Sequence, residues 1–312
     1  MGRRKKGNAI HGWINIYKPA GMGSTDVVRT VKRALKPQKI GHGGTLDPLA
    51  EGILPLALGE ATKTIHYCQD ALKTYIFRVK WGQQTTTDDA EGDVIYTSDV
   101  RPSAADIDAL LPQYHGDISQ VPPQFSAVKI DGQRAYDLAR EGESVTIEPR
   151  NVYIENLTVT AHTQTETTFE CLCGKGTYIR SLARDLARDL GTFGHVSFLK
   201  RASVGPLNEK SAISLDVFEK IDHSADLDTV LLPVETMLDD ILALALNETE
   251  AARLRNGQSV TFVSRPDVQR LYDAGLDTLN EVNTALVTCK GKPVAITEIA
   301  GTEISPSRVF NL

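Results

Sequence analysis

The arrangement of strand-like runs constrains the fold of this 312-residue chain more than any other feature. "GWINIYKP" (12–19) alternates apolar and polar residues and stops at Pro19, which cannot donate to a sheet ladder. Similar runs read "TYIFRVKWG", "DVIYTS", "FSAVKI", "NVYIENLTVTA" and "TTFECLC", several bounded by turn pairs such as Asp131-Gly132. They do not alternate regularly with helices, so a doubly wound fold is excluded. The expectation is an α+β protein, a strand-rich sheet with helices packed on it.

Two helices stand out. "GMGSTDVVRTVKRALK" puts Val27, Val28, Val31, Ala34 and Leu35 on one face, with Ser24 or Thr25 as N-cap. "GTYIRSLARDLARDLG" forms an apolar stripe of Ile179, Leu182, Ala183, Leu186 and Leu190, with Gly191 as the stop and Arg180, Arg184 and Arg188 on the other side. Towards the C-terminus the short runs "TALVTCKG", "PVAITEIAG" and "SRVFNL", separated by Gly, Lys and Pro, resemble a small β-barrel. The expected organisation is a main domain over 1–240, with an acidic connecting region at about 207–240, and a barrel over 241–312. No fixed-period repeat is present, which removes solenoid architectures.

The net charge of -6 argues at first against a polyanionic partner. The charge is nevertheless segregated. Residues 1–60 hold ten Lys or Arg against four Asp or Glu, and residues 175–201 hold six against two. Residues 216–250 hold ten acids against one Lys. If the basic stretches converge they make a positive face for phosphates; otherwise they are ordinary solvated surface. No apolar run is long enough for a membrane span, and the basic start "MGRRKKGNAI" lacks a signal-peptide core, so the expected location is cytoplasmic. Cys171 and Cys173 form C-x-C, which matches neither a zinc ligand pair nor a C-x-x-C redox site; the four cysteines read as reduced structural thiols.

"GHGGTLDPLAEG" (41–52) gathers His42, Asp47 and four glycines in a stretch without regular periodicity. The glycines permit close approach of a ligand to the main chain, and Pro48 pushes Asp47 towards an extended conformation. The nearest following lysine, Lys63, is too distant for a phosphate-binding P-loop, and His42 with Asp47 lacks a third metal ligand. Spacing alone leaves Asp47 open between a turn or cap residue and a functional acid.

"GHGGTLDPLAEGILPLALGEATK" resembles the central motif of the TruB family of tRNA pseudouridine-55 synthases. "NIYKPAGMGSTDVV", "KTYIFRVKWGQQTTTDDAEGDV", "VPPQFSAVKIDGQRAYDLAREG" and "CGKGTYIRSLARDLARDLG" resemble that family's other segments, in its order. The likeness is strong over residues 11 to about 205 and weaker beyond, where the C-terminal barrel is similar to a PUA-type RNA-binding domain. Phe125 stands where members often carry tyrosine.

The resemblance implies a pseudouridine synthase fold, a mixed, mostly antiparallel central sheet flanked by helices, with a PUA-like module. It implies isomerisation of uridine 55 in the T-loop of tRNA, in which the C1′–N1 bond is exchanged for C1′–C5. Asp47 is then the catalytic carboxylate, attacking C1′ or C6 or acting through a glycal, and the sequence leaves these routes open. Arg180 is implied as its cationic partner and Tyr75 as the ring that stacks on the uracil. His42 is implied to fill the vacancy left by the flipped base. Tyr178 and Leu199 are implied to line the pocket, and Lys18 and Lys63 to contact phosphates. Because the reaction is an isomerisation, the resemblance implies no metal and no cofactor. The expected partner of a monomeric chain is the tRNA T-stem-loop, with folding assistance as a possible addition. A non-catalytic tRNA binder and an RNA-guided synthase are the alternatives.

Overall fold

The computed structural model describes residues 7–126, 129–130, 133–134, 146–220, 227, 229–276 and 282–312. In chain order, β1 (Gly12–Lys18), α1 (Ser24–Leu35), β2 (Ile40–His42) and β3 (Glu51–Leu58) lead through a 3-10 turn to α2 (Ile65–Asp70) and β4 (Lys73–Trp81). The hairpin β5 (Gln83–Thr85) and β6 (Val94–Thr97), α3 (Ala104–Leu110), β7 (Gly116–Gln120), β8 (Lys129–Ile130) and β9 (Gln133–Arg134) follow. Next come β10 (Arg150–His162), β11 (Glu166–Cys173), α4 (Ile179–Asp189), β12 (Gly194–Val204), β13 (Leu207–Asn208) and α5 (Val217–Lys220). The last part holds β14 (Leu242–Ala245), α6 (Glu248–Arg255), β15 (Val260–Thr261), α7 (Arg265–Asp273), β16 (Asn283–Cys289), β17 (Lys292–Ala300) and β18 (Glu303–Val309).

The main sheet has nine strands in the order β1-β3-β12-β4-β11-β10-β7, with β2 beside β3 and β13 beside β12. The β3–β12 pairing is parallel and the others are antiparallel, so the mixed, mostly antiparallel sheet that the family resemblance implies is what forms. Two of its central strands are hidden in the sequence. β3 is buried at every position but Glu51 and contains Pro55, so neither alternation nor composition marks it as a strand. β12 likewise lacks a clean period.

The parallel contact is brief, Glu51 to Lys200 and Gly52 to Arg201. Gly52 has φ 107°, and a Cβ placed there would lie 2.2 Å from the carbonyl oxygen of Arg201. Strand and backbone must both yield to any side chain at this point. Gly52→Ala is therefore expected to destabilise the protein by more than about 1 kcal/mol, read as a lowered midpoint in thermal or urea unfolding.

The apolar stripe of α4 packs Leu182, Ala183 and Leu186 against Phe77 and Val79 of β4 and Phe169 of β11. Arg180 and Arg184 share this buried environment, whereas Arg188 is exposed. On α1, Val27, Val31 and Leu35 are buried but Ala34 is exposed. Its N-cap is Gly23, which makes no side-chain cap bond. The Ser24 hydroxyl is used elsewhere: it donates to the Leu46 carbonyl at 2.7 Å and accepts from the Leu46 amide at 2.8 Å. It staples the helix to the loop that carries Asp47. All four cysteines are buried and free. The turn pair Asp131-Gly132, and residues 127–128 of "FSAVKI", lie outside the described residues.

The acidic stretch after β13 lies along β1: Ile213 bridges to Ile16 and Leu232 to Trp13, while Val234, Met237 and Leu238 join a buried cluster with Trp13 and Ile53. Beyond it, β14-β16-β17-β18-β15 form a curled, half-barrel sheet, consistent with a PUA-like module. It carries α6 and α7, two helices in a region whose short runs read as strands. Its outer residues Leu286, Ile296 and Phe310 enter the same cluster as Trp13 and Met237. Among the described residues, no helix is long and apolar enough to cross a membrane.

Candidate active site

The loop between β2 and β3 is held from several directions. Beyond the Ser24 staple, the Gly21 amide donates to the Pro48 carbonyl at 2.7 Å, and the Ala50 amide to the Asp47 carbonyl at 3.1 Å. Arg201, on β12 and only 2% exposed, donates from Nε to the Ile53 carbonyl at 2.8 Å, from Nη1 to Thr45 at 3.3 Å and from Nη2 to Gly44 at 3.1 Å. The conformation around Asp47 is therefore set by bonds to the loop's main chain from the β1–α1 turn, from Ser24 of α1 and from Arg201 of β12. Its carboxylate, 38% exposed, faces a cleft of about 1060 Å³.

Arg180 sits in the first turn of α4 with its side chain 7% exposed. Nη2 lies 2.9 Å from Asp47 Oδ2, and Nε lies 3.6 Å from Asp89 Oδ2. The same guanidinium donates to the Thr87 carbonyl at 3.2 Å and the Phe125 carbonyl at 3.0 Å. Asp89 accepts from the Thr87 hydroxyl and from the Glu91 amide, so it is fixed independently of Arg180. One buried cation is thus shared by a carboxylate open to the cleft and another closed off from solvent. Charge-assisted bonds of this kind are about twice as strong as neutral ones and strongly directional.

The cleft also brings in Tyr75, Tyr178, Leu199 and His42. Tyr75 lies on β4 opposite Cys171 of β11 and Arg201 of β12, and burial raises its phenol. Tyr178 precedes α4; its amide donates to the Gln120 side chain at 2.8 Å, and burial raises its hydroxyl too. Leu199 faces the cleft from β12 while remaining part of the main core, so it serves both.

His42 ends β2, and its Nδ1 accepts from the Gly44 amide at 3.3 Å. Burial first, and the Arg201 charge second, hold its imidazole below the usual 6.5. The folded state therefore takes up this proton later than the unfolded chain as pH falls. The stability linked to His42 is full above 6.5 and declines as pH drops through the lowered folded value. An NMR titration of the ring is expected to show a midpoint below 6.5 and a neutral ring at pH 7.

Two sequence expectations are corrected by burial and bonding. Lys18 is fully buried, and its ammonium donates to the carbonyls of Pro19, Met22 and Pro48 at 2.9, 2.7 and 3.3 Å. It supports the Asp47 loop from beneath and presents nothing to a phosphate. Burial lowers it to about 8, with the nearby Asp47 charge opposing the shift. Lys63 pairs with Glu60 and donates to the Val309 carbonyl at 2.6 Å, while Glu60 accepts from the Asn311 amide at 3.0 Å. Lys63 thus ties the last strand to the main body, and its charge is already matched.

Sequence reading missed Asp89 and Arg201. Asp89 stands in "TTTDDAEGDV", where acids in a turn are unremarkable; its burial is the distinguishing property and leaves no local pattern. Arg201 reads in the sequence only as one member of a basic stretch. The two basic stretches do meet where β3 and β12 pair. Lys18, Arg180, Arg184 and Arg201 are nevertheless buried, so part of the expected positive face points inward.

Comparisons with known proteins follow the same lines. Residues 32–179 match the family model described as TruB family pseudouridylate synthase (N terminal domain), and residues 180–239 match the tRNA pseudouridylate synthase B C-terminal domain. A Rhodospirillum rubrum protein named tRNA pseudouridine synthase B is 48% identical over 316 residues, covering 100% of both chains. A Caulobacter vibrioides protein of the same name is 47% identical over 313 residues, again covering 100% of both. Among solved structures, one from a Cbf5-Nop10-Gar1 complex aligns with a TM-score of 0.71 at 23% identity, covering 96% of this chain and 84% of that one. At that identity the likeness concerns the fold.

Proposed function

The chain belongs to the TruB family of pseudouridylate synthases, and on that premise we propose that it converts uridine 55 in the T-loop of tRNA to pseudouridine, acting alone and without a cofactor. The observation that carries the site assignment is the Asp47–Arg180 pair at 2.9 Å, opening on a cleft with room for a nucleoside.

The chemistry requires one ionised carboxylate that is accessible yet fixed. Arg180 holds one oxygen of Asp47 at 2.9 Å and orients the carboxylate, leaving the other oxygen for the flipped nucleotide. The C1′–N1 bond breaks, the detached uracil turns, and C1′ joins C5; the proton leaves C5 and N1 ends protonated, so no atom is gained or lost. Attack at C1′, attack at C6 and the glycal route all start from the same ionised oxygen. Asp89 keeps Arg180 partnered while Asp47 engages the substrate, which avoids an uncompensated buried cation during the reaction. The ring of Tyr75 supports a base in either orientation because stacking does not depend on rotation in the plane. A neutral His42 suits the place vacated by the uracil, where a charged ring would be desolvated at a cost.

In this reading residues 1–240 carry the chemistry, and residues 241–312 contact RNA, in a cytoplasmic monomer. The test is incubation of the purified chain alone with a T-arm stem-loop carrying labelled uridine at the target position, followed by nucleoside analysis. Labelled pseudouridine is the expected product. Binding without conversion would indicate a non-catalytic binder, and conversion only with an added guide RNA would indicate guided action.

A further inference from the structure

Asp88 and Asp89 are consecutive in the turn between β5 and β6, and Arg180 and Arg184 lie one helical turn apart on α4. The two pairs meet in register. Arg184 Nη1 is 3.1 Å from Asp88 Oδ2, beside the 3.6 Å contact of Arg180 with Asp89. Asp88 adopts φ 58°, a left-handed conformation that costs a non-glycine residue about 1 kcal/mol. The Gln84 amide donates to its side chain at 2.9 Å, and its own carbonyl accepts from the Val196 amide of β12 at 3.0 Å.

Arg184 also reaches the opposite wall. Nη2 donates to the Val121 carbonyl at 2.8 Å, an acceptor it shares with the Ser181 hydroxyl, and Nε pairs with Asp185 at 2.9 Å. The guanidinium therefore grips the 87–89 turn on one side and the 121–125 segment on the other. Those two segments supply the carbonyls of Thr87 and Phe125 to which Arg180 donates. A buried ion pair is a poor source of stability, because desolvation offsets much of its attraction, but it fixes geometry well.

We infer that Arg184 and Asp88 are a positioning pair that sets the angle and distance at which Arg180 meets Asp47, without touching the substrate themselves. This rests on the function proposed above. The turn and the 121–125 segment define the socket of Arg180, and Arg184 ties the same two segments together one helical turn further on.

The experiment compares Arg184→Gln, Arg184→Lys, Asp88→Asn and the double variant Asp88→Asn/Arg184→Gln with the unsubstituted chain. Single-turnover conversion of tRNA, tRNA affinity and melting temperature are measured for each. Arg184→Gln is expected to lose roughly 10- to 100-fold in single-turnover rate, the effect of a misplacement of about 1 Å, while tRNA affinity stays within about threefold. Arg184→Lys retains the pair with Asp88 but drops the bond to Val121, so its rate falls between the two. The double variant removes the stranded carboxylate and regains melting temperature, yet its rate stays low. If the double variant recovers rate together with melting temperature, or if Arg184→Gln converts tRNA as fast as the unsubstituted chain, the positioning role is overturned. No conversion by the unsubstituted chain would remove the functional reading and this inference with it.

Discussion

Asp47→Asn is expected to bind tRNA with near-normal affinity and to form no measurable pseudouridine, a loss of at least about 10⁴-fold in single-turnover rate. The substitution preserves shape and the hydrogen-bond acceptor facing Arg180, and Asp89 keeps that guanidinium paired, so the fold should be undisturbed. An amide cannot act as nucleophile or base on any of the three routes. Filter binding with unmodified tRNA, alongside nucleoside analysis, separates the two effects. Residual conversion within a hundredfold of the unsubstituted chain would refute the role given to Asp47.

Arg180→Met should be nearly as damaging, and for two reasons. Without the cation, Asp47 loses the contact that orients its carboxylate, and a loss of about 10²- to 10³-fold in rate is expected. Asp89, 4% exposed, is left buried without a counter-charge, and removing one partner of such a pair costs about 3 kcal/mol. The Asp47 side adds little to that figure because it is 38% exposed. Arg180→Lys should recover much of the melting temperature but little of the rate. A point charge cannot reach two carboxylates and the carbonyls of Thr87 and Phe125 together. The check is tryptophan-monitored unfolding in parallel with single-turnover kinetics.

What the sequence disclosed follows physical lines. β4 exposes alternate residues and carries a period of two, β1 is buried but sets polar Asn15 and Lys18 among its apolar residues, and the α4 stripe carries a period near 3.6, so these elements were legible. β3 was not, because a strand covered on both faces, with apolar residues throughout, has no polar side to reveal its pitch, and a proline such as Pro55 is rare inside a central strand. At the site, Asp47, Arg180, Tyr75, Tyr178, Leu199 and His42 line one cleft, as the family likeness implied. Lys18 and Lys63 departed from expectation because a lysine looks alike in sequence whether its ammonium meets water or buried carbonyls. Asp89 went unseen for the converse reason: what sets it apart is partners from α4, some ninety positions away, which no local motif encodes.

The cluster in which Leu286, Ile296 and Phe310 join Trp13, Ile53 and Met237 has a practical corollary for anyone dissecting the chain. A cut placed after residue 240 would strip a lid from greasy surface on both fragments, and Lys63 would lose the Val309 acceptor it holds. The severed catalytic piece should then be sticky and prone to clump. A loss of activity on truncation would report that damage as readily as any missing grip on RNA, and point substitutions at exposed residues of β14–β18, away from that cluster, are the cleaner probe.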